Sequence, residues 1–157
     1  MELIILKIMT QSIVSLYEQD ILQWVEETVT KLKAHDFENL DLTNLIEEVE
    51  SLGISQKKEL LSRLITLLEH LLKRLYVSLP NDYNGWERTI REQRKQLKVL
   101  LKKVPSLVNL WDQDFKDAWK IALEIVREEY WQVEFPDQWS FSYDLNVILN
   151  ERFWGID

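Results

Sequence analysis

Apolar residues recur at three- and four-residue steps along most of this chain, the spacing that gathers side chains on one face of an α-helix at ~100° per residue. Tyr17, Ile21, Trp24, Val25, Thr28, Val29 and Leu32 follow that rule and predict a first helix from about Leu16 to Lys33 with this face buried. Ser15 and, three residues on, Glu18 have the form of a capping box, in which each side chain satisfies an orphan amide of the first turn. A short connection through His35, Asp36 and Phe37 leads to Asp41, a good N-cap, and to a brief helix from Leu42 to Leu52. Its stripe is Leu42, Leu45, Ile46, Val49 and Leu52, and Gly53 suits the left-handed position that closes a helix. Ser55 then caps a longer helix, about Gln56 to Leu79. Leucines and one isoleucine from Leu60 to Leu75 cover close to half of its circumference, so it is the expected central helix of a bundle.

Pro80-Asn-Asp-Tyr-Asn-Gly85 reads as a loop, because Pro, Asn, Asp and Gly each favour turn geometry. A helix is expected from about Trp86 to Lys103, then punctuation at Pro105 and Ser106. Another long helix, with a bend near Asp112, extends through Phe115, Ala118, Trp119, Ala122, Leu123 and Val126 to about Trp131. After Pro136 an aromatic stretch, Trp139-Ser-Phe-Ser-Tyr143, precedes a short final helix near Asp144 to Asn150. No run alternates as a strand would, and no repeat is found. The expected fold is all-α: a compact bundle of five or six amphipathic helices in a single domain over residues 15–157.

Length and composition agree with that reading. The chain has 157 residues, of which 46% are hydrophobic and 29% charged, with only three Gly and three Pro. This suits one folded, helix-rich domain and leaves few turns. The absence of Cys excludes disulfides, thiolate zinc, Fe–S clusters and a thiol nucleophile, and gives no sign of an oxidising compartment, so cytoplasm is the default location. Residues 1–14 read as an N-terminal extension. Its apolar run, Met1 to Met9, is shorter than the ~20 residues a membrane span needs and lacks the features of a signal peptide. Two readings stay open: a start at Met9, or an apolar arm that packs on the body or a partner.

Five blocks in order, namely Leu16-Tyr-Glu-Gln-Asp20 with Trp24, the stretch Leu40 to Gly53, Leu68-Glu-His-Leu-Leu-Lys73, the stretch Trp86 to Arg94, and Pro105-Ser-Leu107, resemble the domain-of-unknown-function family numbered twenty-nine, found largely in cyanobacteria. The resemblance runs from about Leu16 to Phe153 and implies an all-helical fold. It brings no reaction, ligand or catalytic residue with it. Where the family resemblance leads one to expect a Cys-Pro pair before the last helix, this sequence has Trp139 and Ser140, so a thiol role there is absent.

Charge adds two candidate surfaces. Between Arg88 and Lys103 seven basic residues face one acid, Glu92, so this stretch carries +6 within a chain of net charge −8. Arg88, Arg91, Lys95, Lys98 and Lys102 share one flank, opposite Trp86, Ile90, Leu97, Leu100, Leu101 and Val104. Such a stripe suits a phosphate backbone, but the acidic remainder offers internal partners and argues against nucleic acid as a partner. The acidic counterpart is Asn44, Glu47, Glu48 and Glu50. Paired carboxylates can hold a divalent cation or divide acid and base roles, and they can equally grip arginines. The favoured reading is a clasp of Glu47 or Glu50 on Arg94, within a polar cluster that also takes in His70 and Arg91. With two histidines in the chain no metal ligand set is expected. His70 reads as a hydrogen-bonded boundary residue and His35 as a contact to a helix C-terminus.

No nucleophile elbow, phosphate loop or dinucleotide fingerprint is present, so no catalytic residue and no cofactor is named. The last candidate is the aromatic third, where Trp131, Trp139, Phe141 and Trp154 are set aside as an interface although aromatics at helical spacing usually form core. The sequence therefore points to a non-enzymatic protein-interaction or binding module whose partner is another protein or a second copy in a homodimer. The alternative is a divalent-metal-dependent hydrolase or nuclease built on the carboxylate cluster.

Overall fold

The computed structural model describes residues 14–155, so the N-terminal extension up to Ile13, including the choice between a start at Met9 and an apolar arm, lies outside the described residues. All regular structure among them is helical: α1 Leu16–Gln19, α2 Ile21–Lys33, α3 Leu42–Tyr76, α4 Pro80–Lys103, a 3-10 helix Pro105–Leu110, α5 Trp111–Glu129 and α6 Leu145–Asn150. No described helix is long and apolar enough to cross a membrane. Backbone contacts divide the chain into two compact units, Met1–Leu52 and Gly53–Asp157, with the boundary inside α3.

In the first unit the Ser15–Glu18 capping box forms, but the helix it opens lasts one turn. Asp20 turns to an extended conformation and caps a second helix, accepting from the Gln23 amide, so the single expected helix is two, α1 and α2. At the end of α2, His35 adopts the positive φ of 56° that more often falls to Gly. Its amide donates to Leu32 O and that of Asp36 to Lys31 O, a Schellman-type closure. Asp41 then accepts from the Asn44 amide and starts α3.

The largest departure from the sequence reading is α3 itself. Leu42–Leu52 and Gln56–Leu79 are not two helices but one of 35 residues ending at Tyr76. Gly53 closes nothing and Ser55 caps nothing, because extending an existing helix adds one hydrogen bond per residue fixed, whereas starting a new one carries a nucleation cost. A Cβ at Gly53 would meet nothing within 4 Å, so no packing requires glycine there. The proposed loop at Pro80–Gly85 is also helical. Pro80 occupies the first turn of α4, where its missing N–H is one that no helix satisfies.

The second unit holds the hydrophobic core. Leu60, Leu64, Leu67, Leu68, Leu71 and Leu72 of α3 are fully buried against Trp86, Ile90 and Leu97 of α4, Phe115, Ala118 and Ala122 of α5, and Ile148 of α6. The expected bend near Asp112 is a change of helix type at Leu110 and Trp111. One charged residue lies inside this shell. Lys73 Nζ sits 2.8 Å from Glu69 and 2.7 Å from Glu129. Burial pulls its pKa down more than any other single influence, yet the two carboxylates together outweigh it and leave it raised.

Candidate functional site

On the apolar face of the first unit the structure also departs from the sequence expectation. Trp24 and Thr28 are buried, but Ile21, Val25, Val29 and Leu32 of the same stripe are exposed, against the expectation that this face is covered. On α3, Leu42, Ile46, Val49 and Leu52 are exposed as well, with Leu52 at 66% and Val49 at 60%. Between the two helices runs a groove of about 270 Å³ walled by Val25, Val29 and Leu32 on one side and Leu45, Val49 and Leu52 on the other. Acidic residues of α2 keep to another face, where Glu26 and Glu27 stand with Gln23, Thr30 and Lys31.

A polar network borders the groove. The Tyr17 hydroxyl donates to Glu48 Oε1 at 2.6 Å, and Glu48 itself lines the groove. The Trp24 indole donates to Asp41 Oδ2 at 3.1 Å, and the Asn44 side-chain amide donates to the same oxygen at 2.7 Å. Tyr17 and Trp24 meet edge to face with ring centroids 5.0 Å apart. The hydrogen bond to Glu48 is the chief reason the Tyr17 pKa is pushed up to about 12, with burial and the negative charges of Glu48, Glu47 and Asp41 adding to it. The Asn44 side chain holds the Asp41 carboxyl below its ordinary value, against the opposing effect of burial. In the sequence only the apolar stripe and the cap signal mark Tyr17, Trp24 and Asp41, and neither signal distinguishes a site from a fold element.

The polar cluster named from sequence falls into two parts. Asn44, Glu47, Glu48 and Glu50 belong to the first unit, with Glu47 and Glu50 exposed; His70, Arg91 and Arg94 belong to the second. The Arg94 guanidinium donates to the Glu151 carbonyl oxygen at 2.6 Å, a backbone partner in its own unit. Its Nε is buried with no hydrogen-bond partner among the described residues, and burial lowers its pKa. His70 Nδ1 lies 2.8 Å from the Thr66 carbonyl, so that nitrogen carries the proton. Among the described residues no three His, Asp or Glu side chains converge as a metal site requires.

The cationic flank of α4 is exposed at all five positions, Arg88, Arg91, Lys95, Lys98 and Lys102. The aromatic candidates divide. Trp139 is half-buried and packs edge to face on Phe115, Trp119, Phe141 and Phe153. Trp154 is half-buried, with the Arg74 and Arg152 guanidinium groups over its ring. Phe141 is at the margin of exposure, and Trp131 at 78% is the one that stands in solvent. These contacts place most of the group against the core of the second unit.

A model of the family described as Domain of unknown function DUF29 matches residues 16–154. The chain belongs to that family. The DUF29 match opens at the first residue of α1 and takes in every described helix, so it covers the groove of the first unit as well as the core of the second. No curated protein and no solved structure matches the chain.

Proposed function

We propose that this DUF29 member is a non-enzymatic protein-interaction module that self-associates as a homodimer through its first unit. The observation that carries the reading is the apolar face just described. Nine exposed Leu, Ile and Val residues lie on α2 and the first turns of α3, from Ile21 to Leu52. Summed over these residues the exposed area is roughly 800 Å², comparable with one partner's share of a standard protein–protein interface. A second copy supplies the same area and the same chemistry. Two such helix pairs, brought together face to face about a two-fold axis, form the four-helix arrangement in which each pair covers the other's stripe.

The metal-dependent hydrolase alternative gains nothing from the geometry. Glu48 accepts the Tyr17 hydroxyl, and among the described residues no third acid or histidine joins Glu47 and Glu50. The test is the mass in solution, by light scattering over a wide concentration range. Twice 18.9 kDa is expected at high concentration, falling toward 18.9 kDa on dilution. A mass of 18.9 kDa at every concentration gives the face to another occupant and ends the homodimer reading.

A further inference from the structure

The charge of the chain is unevenly placed. Residues 1–52 hold 11 acidic and 3 basic side chains, whereas residues 53–157 hold 16 of each, so the net −8 belongs wholly to the first unit. Inside the neutral second unit two groups of cations contrast. Arg63, Lys73, Arg74 and Arg127 each lie within 2.9 Å of a carboxylate. Arg88, Arg91, Lys95, Lys98 and Lys102 form no ion pair with a described residue of their unit, although all five stand on one flank of α4. Even Glu92, the acid within that stretch, is hydrogen-bonded to Gln96. Within its own unit, the described carboxylates are not taken up by this row.

The row is regular. Its members follow at three- and four-residue steps, so successive Cβ atoms are ~5–6 Å apart and the whole spans ~21 Å at 1.5 Å per residue. Beside its middle lies an open groove of about 480 Å³, lined by Arg91, Arg94, Lys95 and Lys98 with Asn150 and Val99. Arg94 is held there by the Glu151 carbonyl, and the residue that precedes it by three, Arg91, is free in solvent. A single small anion would need one or two of these groups; a line of five fits a ligand whose charge repeats along a chain. No aromatic side chain lines the groove, so it offers no platform on which bases would stack.

We propose that the α4 row and its groove bind a chain of phosphates, supplied by a nucleic-acid strand or by inorganic polyphosphate, through backbone charge and without sequence readout. Releasing counterions from up to five neutralised phosphates gives a slope of log K against log salt of up to about −3.5 for a single strand. The test uses the whole chain and fluorescence anisotropy with two probes, a labelled single-stranded oligonucleotide and labelled polyphosphate, starting at low salt. Binding of at least one probe is expected, with that slope; which probe binds tells the two sources apart. Lys95→Gln with Lys98→Gln is expected to weaken binding and flatten the slope by about 1.4, whereas Lys116→Gln with Lys120→Gln, exposed cations on α5, leaves it unchanged. No binding of either probe at low salt overturns the proposal. So does an equal loss in the α5 pair, or displacement of the probe by poly-glutamate as readily as by its unlabelled self.

Discussion

Replacing Val49 with Glu puts the interaction face to a quantitative test. Val49 is 60% exposed, which for a residue of its size is roughly 90 Å², so covering it contributes about 2 kcal/mol at ~25 cal/mol per Å². In a two-fold interface the position occurs twice, and the substitution removes about 4–5 kcal/mol before any carboxylate is desolvated. That corresponds to a dimer at least ~10³-fold weaker. Because the side chain stands in solvent within one copy, helicity by circular dichroism and melting of the dilute protein should not change. Sedimentation equilibrium on the parent, on Val49→Glu and on Gln23→Glu reads the effect; the last adds the same charge on the polar face of α2. A Val49→Glu protein that dimerises as tightly as the Gln23→Glu control would refute the reasoning.

Other outcomes follow from particular residues. Gly53→Ala is expected to stabilise the protein by about 0.5–1 kcal/mol, seen as a rise in Tm, since Gly53 is inside α3 with open space around it; a fall would mean that the position needs left-handed backbone after all. Leu67→Ala, at a fully buried position of the core, should cost ~2–5 kcal/mol in chemical denaturation, and a loss well below that range would contradict the packing described. Tyr17 should titrate late, near pH 12, in ultraviolet difference spectra; burial raises the Tyr130 pKa as well. Because the folded pKa of Tyr17 is raised from 10.0 to about 12, the stabilisation it provides is complete below pH 10 and is lost as pH rises through 12. Tyr17→Phe should therefore remove the step near pH 12 and that part of the alkaline loss of stability; a step near pH 12 of undiminished amplitude after the substitution assigns it to another group.

The sequence made the helices legible but not their joints. Periodicity marks α4 and α5 because their apolar stripes are wide and end in Pro or polar residues. It misplaces Gly53 and Pro80, since both residues are compatible with a break and with a helix. What decides is cooperativity along α3, where one long helix avoids a second nucleation, and the tolerance of the first turn for Pro. Burial was legible where a stripe is flanked by others, as at Leu60 to Leu72, and illegible in the first unit. Ile21, Val25, Leu42 and Val49 carry the same spacing as core residues and are exposed. A stripe states that a face wants cover; it does not state whether the same chain provides it. The cationic flank of α4 was equally clear in sequence, but whether carboxylates answer it depends on which helices neighbour it, and that is a tertiary fact.

The most direct measurement of the central claim is an isotope-filtered NOE experiment on a mixture of ¹³C-labelled and unlabelled copies, which reports only contacts between different molecules. Cross-peaks from the methyl groups of Val25, Val29, Val49 and Leu52 are predicted. Intermolecular cross-peaks confined to methyl groups of the second unit, or none at concentrations where the mass is that of two chains, would contradict the account.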